Sequence, residues 1–201
     1  MKVRPMKMFA LAAVLGFVGC ASAGAQSRVT DRYDDTFRKY AKRYFGPGFD
    51  WRLFKAQSMT ESNLNPDAIS GVGARGIMQL MPSTYAEIRS KNPEIGEIND
   101  PEWNIAAGIY YNRQLWRQWA AGAVNTDREE FMFGSYNAGR GTILRAQKVA
   151  AGKSLDERVW PSIQDVAPDV PKWRHEETLN YVQRIQFSIE RMDDKGRVVK
   201  K

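Results

Sequence analysis

Apolar residues recur three or four positions apart along most of this 201-residue chain, and this spacing limits its fold more than any other feature. Such spacing gathers side chains on one face of a helix, whereas a half-buried strand needs strict alternation. Clear examples are the face formed by Phe37, Tyr40 and Tyr44 and the face formed by Tyr181 and Ile185. The chain has no internal repeat and no convincing pair of strands. The sequence therefore predicts an all-α domain, or α+β at most with a minor hairpin, over residues 28–193.

Capping residues predict where several of these helices begin. Asp100 followed by Pro101 combines a capping side chain with a proline at the first helical position. Asp50 is placed to cap a helix that ends near Glu61. Two capping boxes are also predicted, formed by Thr84 with Glu87 and by Thr126 with Glu129.

Glycines, prolines and charge predict where regular structure stops. Gly139 is expected to end the helix that contains Tyr136. Three prolines fall between residues 152 and 174, and we expect a long irregular connection there. Residues 194–201 are mostly charged and are expected to form a frayed tail.

The first 25 residues have the pattern of an export signal. Three basic residues precede an apolar run, Met8 to Val18, that is too short to span a bilayer. Two processing sites are possible at the end of this segment. An A-x-A site at residues 23–25 would release a protein that begins at Gln26, whereas residues 17–20 resemble a bacterial lipobox that would leave Cys20 lipidated. Both predict an exported, periplasmic protein, and the second predicts an outer-membrane lipoprotein.

Charge and cysteine content exclude some classes of protein. The leader holds three of the 30 basic residues and none of the 23 acidic ones, so the rest of the chain carries a net charge of +4. Because the basic residues are scattered, this charge favours no nucleic-acid partner, although an anionic polymer is compatible with it. Cys20 is the only cysteine, so an internal disulfide is impossible.

Two apparent motifs are better explained as structure. Residues 71–76 fit the dinucleotide pattern G-x-G-x-x-G, but that site needs a preceding strand, and a loop sequence precedes it here. His175 is the only histidine and lacks the spacing and partners of a zinc ligand or a catalytic triad. We therefore predict neither a cofactor nor a metal.

Glu61 is the strongest candidate for a chemical role. It follows Phe54 and Ser58 on one predicted helical face and falls at the C-terminal end of that helix. The helix dipole disfavours negative charge there, and apolar neighbours add desolvation. Both effects raise the pKa of the carboxyl towards the value that a general acid needs near neutral pH. A solvated glutamate at a helix end is the alternative interpretation.

Four segments together resemble the signature of bacterial lytic transglycosylases of the soluble-Slt, goose-lysozyme-like group. The first runs from Glu61-Ser62 through Ser70 and the glycines to Met78-Gln79-Leu80-Met81-Pro82. The others are residues 104–108, residues 136–139, which read Tyr-Asn-Ala-Gly, and residues 177–182, which contain Glu-Thr and Tyr-Val. The resemblance covers about residues 33–190.

The resemblance implies a lysozyme-like helical domain with a glycan-binding cleft and one catalytic carboxylate, Glu61. The family cuts the β-1,4 bond between N-acetylmuramic acid and N-acetylglucosamine in peptidoglycan. One glutamate acts as acid and then as base, and the sugar's own C6 hydroxyl attacks to form a 1,6-anhydro end. The substrate-binding residues that the resemblance implies are Ser62, Ser70, Gln79, Met81, Tyr136, Asn137 and Tyr181. Tyr181 is expected to place its hydroxyl near Glu61.

Two alternatives and two further partners remain open. A goose-type hydrolase of the same fold would use water and need a second acid, for which Asp67 is the nearest in sequence. A non-catalytic peptidoglycan-binding module is the second alternative. Besides glycan strands, a lipid anchor at Cys20 and envelope or secretion machinery are candidate partners.

Overall fold

The computed structural model describes residues 31–120 and 122–199, and their regular structure is helical. The predicted all-α class is confirmed. Within these residues the only β-type pairings are isolated bridges, of which two lie between residues 69 and 80. The α-helices are α1 (Asp34–Phe45), α2 (Arg52–Ser62), α3 (Pro82–Lys91), α4 (Pro101–Gln118), α5 (Arg128–Ala138), α6 (Arg140–Gly152), α7 (Trp160–Val166) and α8 (His175–Glu190). The predicted leader, with Cys20, lies outside the described residues.

Helix α4 forms the centre of the fold. Its residues 104–109 are buried on every side, which is typical of a helix enclosed by others. Small side chains make this enclosure possible. A Cβ atom at Gly108 would lie 2.7 Å from the side chain of Met78, so glycine lets the segment after α2 pack directly on α4.

Helix α2 packs against α8 and α1, and residues 59–62 at its C-terminal end are only partly buried. Residues 53–58 are buried in succession, and they include the polar side chains of Lys55, Gln57 and Ser58. A helix with so many buried polar groups needs specific partners for them. Those partners determine the geometry around Glu61.

The predicted helix starts are partly confirmed. The Asp100 side chain accepts hydrogen bonds from the backbone N–H groups of Glu102 and Trp103, and Pro101 takes the first helical position. Asp50 lies one residue before the N-cap of α2, Trp51, and its side chain accepts from the backbone N–H of Arg52 at 2.9 Å. Gly139 ends α5 as expected.

Both predicted capping boxes are wrong. Helix α3 already begins at Pro82, so Thr84 lies inside it. Helix α5 begins at Arg128, after Asp127, and the Thr126 hydroxyl donates to the Asp127 side chain rather than to a helix N–H group. Pro82 supplies the start of α3. At the start of α5, the Asp127 carboxylate does not cap the helix but accepts from the backbone N–H of Trp160 at 2.6 Å.

The connection between residues 152 and 174 is more regular than predicted. It contains α7 and a 3₁₀ helix, Ala167–Asp169. Pro161 and Pro168 stand in the first turn of these two elements, where a proline costs no hydrogen bond. Trp160 is buried against Gly134, where an added Cβ would come within 2.4 Å of the indole ring. The prolines therefore start helices here instead of breaking them.

The segment after α8 folds back onto the domain instead of fraying within the described residues. The backbone N–H of Val199 donates to the Arg191 carbonyl at 2.8 Å, closing a turn. The buried Lys55 ammonium donates to the Gly196 carbonyl at 2.8 Å, and the Trp51 ring packs on Gly196. This charged segment therefore forms a turn that packs on α2 at Lys55 and on the preceding Trp51. No helix in residues 31–120 and 122–199 is long and apolar enough to cross a membrane.

Candidate active site

Glu61 lies in the last turn of α2, where the chain leaves the helix through Asn63 in a left-handed conformation, φ 54°. The Tyr181 hydroxyl, from the middle of α8, donates to Glu61 Oε1 at 2.5 Å. The predicted proximity of these two side chains is therefore confirmed. A short hydrogen bond from a phenol to a carboxylate is charge-assisted and holds the carboxylate in a fixed position.

The pKa of Glu61 is raised from its usual 4.5 to about 8. Burial is the largest cause, because the surrounding protein removes water from the carboxylate. The hydrogen bond from Tyr181 and the positive charge of Arg184 lower this pKa, and the negative charge of Glu177 raises it. Glu61 is thus protonated over much of the neutral pH range, although its side chain is partly open to solvent.

The loop after α2 is held by its own side chains. The Ser62 hydroxyl donates to the Ile77 carbonyl at 2.9 Å, which joins the end of α2 to the end of the loop. The Ser70 hydroxyl accepts from the backbone N–H of Ala74 at 3.0 Å and closes the glycine turn. These two predicted substrate-binding residues therefore shape the loop in this structure.

Gln79 also supports the loop. Its backbone has φ 46°, a left-handed conformation, and its amide Nε2 donates to the carbonyls of Ala68 and Gly76 at 3.1 and 2.9 Å. Its amide oxygen is the group that it can offer to a ligand. Met81 follows at the surface with 40% of its area exposed, so it is not a core residue.

The segment that contains Tyr136 and Asn137 lies against the same loop and against α8. The Tyr136 hydroxyl donates to the Met78 carbonyl at 2.8 Å, and the negative charge of Glu61 is among the causes that raise the pKa of Tyr136, after burial. Asn137 accepts from the Thr178 hydroxyl at 2.8 Å. Tyr136 is therefore close to Glu61, and Asn137 joins α5 to α8.

Two buried amides next to Tyr181 were missed by the sequence analysis. Gln57 Nε2 donates to the Tyr181 hydroxyl oxygen at 2.9 Å, and Asn112 Nδ2 donates to Gln57 Oε1 at 2.7 Å. Both side chains are fully buried. Each amide lies at a position where the helical pattern predicts an apolar residue. A polar residue at such a position is the sequence signal that could have identified Gln57 and Asn112.

The two motifs set aside at the outset have ordinary surroundings. Residues 71–76 follow helix α2 and a turn, not a strand, so the dinucleotide pattern lacks its structural context. His175 starts α8 beside the ring of Trp173. Among the described residues, no group of three or more His, Cys, Asp and Glu side chains is arranged to hold a metal ion.

Fold and site together define a helical domain with a desolvated, protonatable glutamate, Glu61, at a helix end. The Transglycosylase SLT domain model matches residues 35–159, more than half of the chain. The chain belongs to this family.

Curated relatives agree with this assignment. The chain is 34% identical over 158 residues to the membrane-bound lytic murein transglycosylase F of Stutzerimonas stutzeri, covering 77% of this chain and 30% of that protein. It is 32% identical over 133 residues to the protein of the same name from Maricaulis maris, covering 66% of this chain and 28% of that protein. The chain therefore spans less than a third of the length of these relatives.

A solved structure shares the fold. The 70-kDa soluble lytic transglycosylase of Escherichia coli matches with a TM-score of 0.57 and 27% sequence identity, over 76% of this chain and 22% of that one. The predicted lysozyme-like helical architecture is thus confirmed at the level of the fold.

Proposed function

We propose that this protein is a lytic transglycosylase that cleaves the β-1,4 bond between N-acetylmuramic acid and N-acetylglucosamine in peptidoglycan and forms 1,6-anhydromuramic ends. One observation carries the proposal. Glu61 has a pKa of about 8 and receives a hydrogen bond from Tyr181, so the same carboxyl can hold a proton and can also be stabilised after losing it. Membership of the SLT family and the names of the relatives support the substrate class.

In the first step, protonated Glu61 donates its proton to the glycosidic oxygen. The bond between that oxygen and the anomeric carbon of the muramic acid breaks, and the leaving sugar departs as an alcohol. The anomeric carbon becomes electron-deficient, and the substrate's N-acetyl group stabilises it. Glu61 is now a carboxylate, and the Tyr181 hydroxyl stabilises its negative charge.

In the second step, the Glu61 carboxylate removes the proton from the C6 hydroxyl of the same muramic acid. The C6 oxygen attacks the anomeric carbon and closes the 1,6-anhydro ring. Glu61 regains its proton and is ready for another cycle. A pKa near the working pH serves both steps, because neither protonation state is then too costly to reach.

The neighbouring residues would hold the sugar in place. Gln79 offers its amide oxygen, Met81 offers an exposed apolar side chain, and Tyr136 lies near Glu61 with its hydroxyl anchored on the loop. Ser62, Ser70 and Asn137 contribute by fixing the loop and α8 around the bound glycan. We propose that Gln79, Met81 and Tyr136 contact the glycan and that Ser62, Ser70 and Asn137 support its binding by holding the loop and α8.

A hydrolase of the same fold would need a second carboxylate to hold the attacking water. Glu177 is the acid whose charge acts on Glu61, but its side chain is half exposed and forms an ion pair with Arg174 at 2.9 Å. Asp67 is exposed in the loop. Neither is arranged as a partner of Glu61, and this favours attack by the sugar itself. A purely binding module would have no need of a desolvated acid at this position.

The site of action follows from the same proposal. Peptidoglycan lies outside the cytoplasmic membrane, and residues 1–25 have the pattern of an export signal. We therefore propose a periplasmic enzyme. Lipidation at Cys20 would add an outer-membrane anchor and bring the enzyme close to envelope or secretion machinery.

Replacing the acid while keeping its shape tests the catalytic assignment. We expect Glu61→Gln to abolish the release of soluble glycan from purified sacculi while binding to the sacculi is retained, because the amide cannot transfer a proton. Glu177→Gln is the matched control and should keep most of the release. Release by Glu61→Gln at the wild-type rate would contradict the assignment.

A further inference from the structure

We propose that Gln57 and Asn112 are positioning residues that fix the direction of the Tyr181 hydroxyl proton, so that it is always donated to Glu61. This inference deepens the proposed function and rests on it for its consequence in catalysis. The geometry that carries it is a row of hydrogen bonds that ends on Glu61. The groups in this row are the Gly108 carbonyl, Asn112, Gln57 and Tyr181.

The row starts on α4 and ends at the C-terminal end of α2. Asn112 Nδ2 donates to the Gly108 carbonyl at 3.1 Å and to Gln57 Oε1 at 2.7 Å. Gln57 Nε2 donates to the Tyr181 hydroxyl oxygen at 2.9 Å. The Tyr181 hydroxyl donates to Glu61 Oε1 at 2.5 Å. Three helices, α4, α2 and α8, each contribute to this row.

The Gly108 carbonyl determines the direction of every bond in the row. A backbone carbonyl can only accept, so the Asn112 atom that faces it must be the amide nitrogen. That nitrogen has two hydrogens, and the second points at Gln57, so the Gln57 atom that receives it must be the oxygen. Gln57 therefore turns its nitrogen towards Tyr181. The Tyr181 oxygen accepts this bond, and its own hydrogen is left to point at Glu61.

Stability alone does not explain the row. Gln57 and Asn112 are fully buried, and Asn112 Oδ1 has no hydrogen-bond partner among the described protein groups. Burying an amide with an unpaired oxygen costs free energy that a leucine at the same position would not cost. A polar row retained at such a cost, and ending on the one proton-transfer group of the site, is better explained by its effect on that group.

The predicted consequence is an effect on the ionisation of Glu61. Besides burial, the groups that act on the ionisation of Glu61 are Tyr181, Arg184 and Glu177, and the nearby Tyr136 hydroxyl has its own pKa raised in part by the Glu61 charge. The Tyr181 hydrogen bond favours the carboxylate, and the bond from Gln57 strengthens it by polarising the phenol. Without the row the hydroxyl is free to rotate away, so the carboxylate loses stabilisation and the pKa of Glu61 rises further.

The test replaces both amides by apolar residues of similar size, Gln57→Leu/Asn112→Leu, so that neither amide is left buried without its partner and Tyr181 loses only the bond from Gln57. The Glu61 carboxyl is titrated by carbon-13 NMR, alongside the pH profile of glycan release. We expect the ionisation of Glu61 to move upward by about one pH unit, the order of effect of one hydrogen bond to a charged acceptor. The high-pH limb of the release profile should move with it, and kcat should fall about three- to tenfold.

Three further variants keep this test decisive. Gln57→Met, which preserves the bond from Asn112 to Gly108, serves if the double variant does not fold and should shift the titration in the same direction. Tyr181→Phe sets the upper limit of the shift. Tyr85→Phe, on α3, removes a hydroxyl that donates to the Gly96 carbonyl, and it should leave the titration of Glu61 unchanged.

An unshifted Glu61 titration in folded Gln57→Met and in the double variant would overturn the positioning role, even if stability falls. The NMR titration needs no substrate, so this inference and the proposed function fail separately. A shifted titration in an enzyme that makes no anhydro-sugar would overturn the function and its consequence in catalysis, while the control of the Tyr181 proton would stand.

Discussion

At the scale of single residues, Glu61 shows how a fold can shift the pKa of one carboxyl. Burial raises its pKa to about 8, whereas the Tyr181 hydroxyl and the Arg184 charge act in the opposite direction. Without the opposing groups the pKa would be higher still, and without burial the carboxyl would be almost fully ionised at neutral pH. The helix-end position of Glu61 predicted the direction of this shift. The main cause, burial, depends on packing that α8 provides from more than a hundred residues away in sequence.

The raised pKa of Glu61 also predicts how stability depends on pH. The folded state holds the proton up to about pH 8, whereas the unfolded chain releases it near its usual 4.5, so this group costs stability increasingly as pH rises between these values. We expect Glu61→Gln to stabilise the protein at pH 8 by about 2 kcal/mol, allowing for the solvent that reaches this side chain. The difference should vanish at pH 4. Thermal unfolding of both proteins across this range measures it, and an equal Tm at every pH would contradict the shift.

At the scale of elements, the loop between α2 and α3 depends on its contact with α4. Asn104, in the first turns of α4, accepts from the backbone N–H of Met78 at 2.8 Å and donates to the carbonyls of Arg75 and Ile98 at 3.1 and 2.9 Å. Gly76 lies directly on this side chain with φ +75°. The loop therefore approaches α4 as closely as the absence of a side chain allows.

Gly76→Ala is expected to break this contact. The new Cβ atom would lie 2.4 Å from Asn104 Nδ2, and alanine is strained at a positive φ. We expect a loss of about 2–4 kcal/mol in the free energy of unfolding, measured in urea, together with a loss of glycan release. Gly71→Ala is the control, since its Cβ would have no heavy atom within 4 Å and its φ is not positive, and it should change stability by less than about 0.5 kcal/mol. Equal stability of the two variants would show that the loop does not need this close approach.

The elements also show what the sequence could and could not predict. Asp100 before Pro101 and Gly139 after α5 act locally, and both predictions are confirmed. Helix α7 was missed because a proline can either break or start a helix. Burial of Trp160 favours the helix start, and that burial depends on tertiary packing that the local sequence does not show. The same limit applies at the site. The Tyr181 contact followed from helical spacing and family resemblance, whereas the Gln57–Asn112 pair joins two helices that are far apart in sequence.

At the scale of the whole molecule, both ends of the described chain close on the back of the helix that carries Glu61. The Lys55 ammonium is fully buried and lies 2.7 Å from Asp34 at the start of α1 and 2.8 Å from the Gly196 carbonyl in the C-terminal turn. A buried cation needs such partners, because an unpaired one is costly. Lys55 therefore ties α1, α2 and the C-terminal turn together. Helix α2, which carries Glu61, is consequently anchored by contacts with both of these segments.

The central claim is that one glutamate cuts peptidoglycan without water, and product analysis tests it most directly. Intact sacculi are digested with the wild-type protein and with Glu61→Gln, and the masses of the soluble fragments are measured by mass spectrometry. The account predicts fragments ending in 1,6-anhydromuramic acid, 18 mass units lighter than the hydrated product because no water is added, and none above background from Glu61→Gln. Fragments ending in reducing muramic acid would contradict it and would identify a hydrolase.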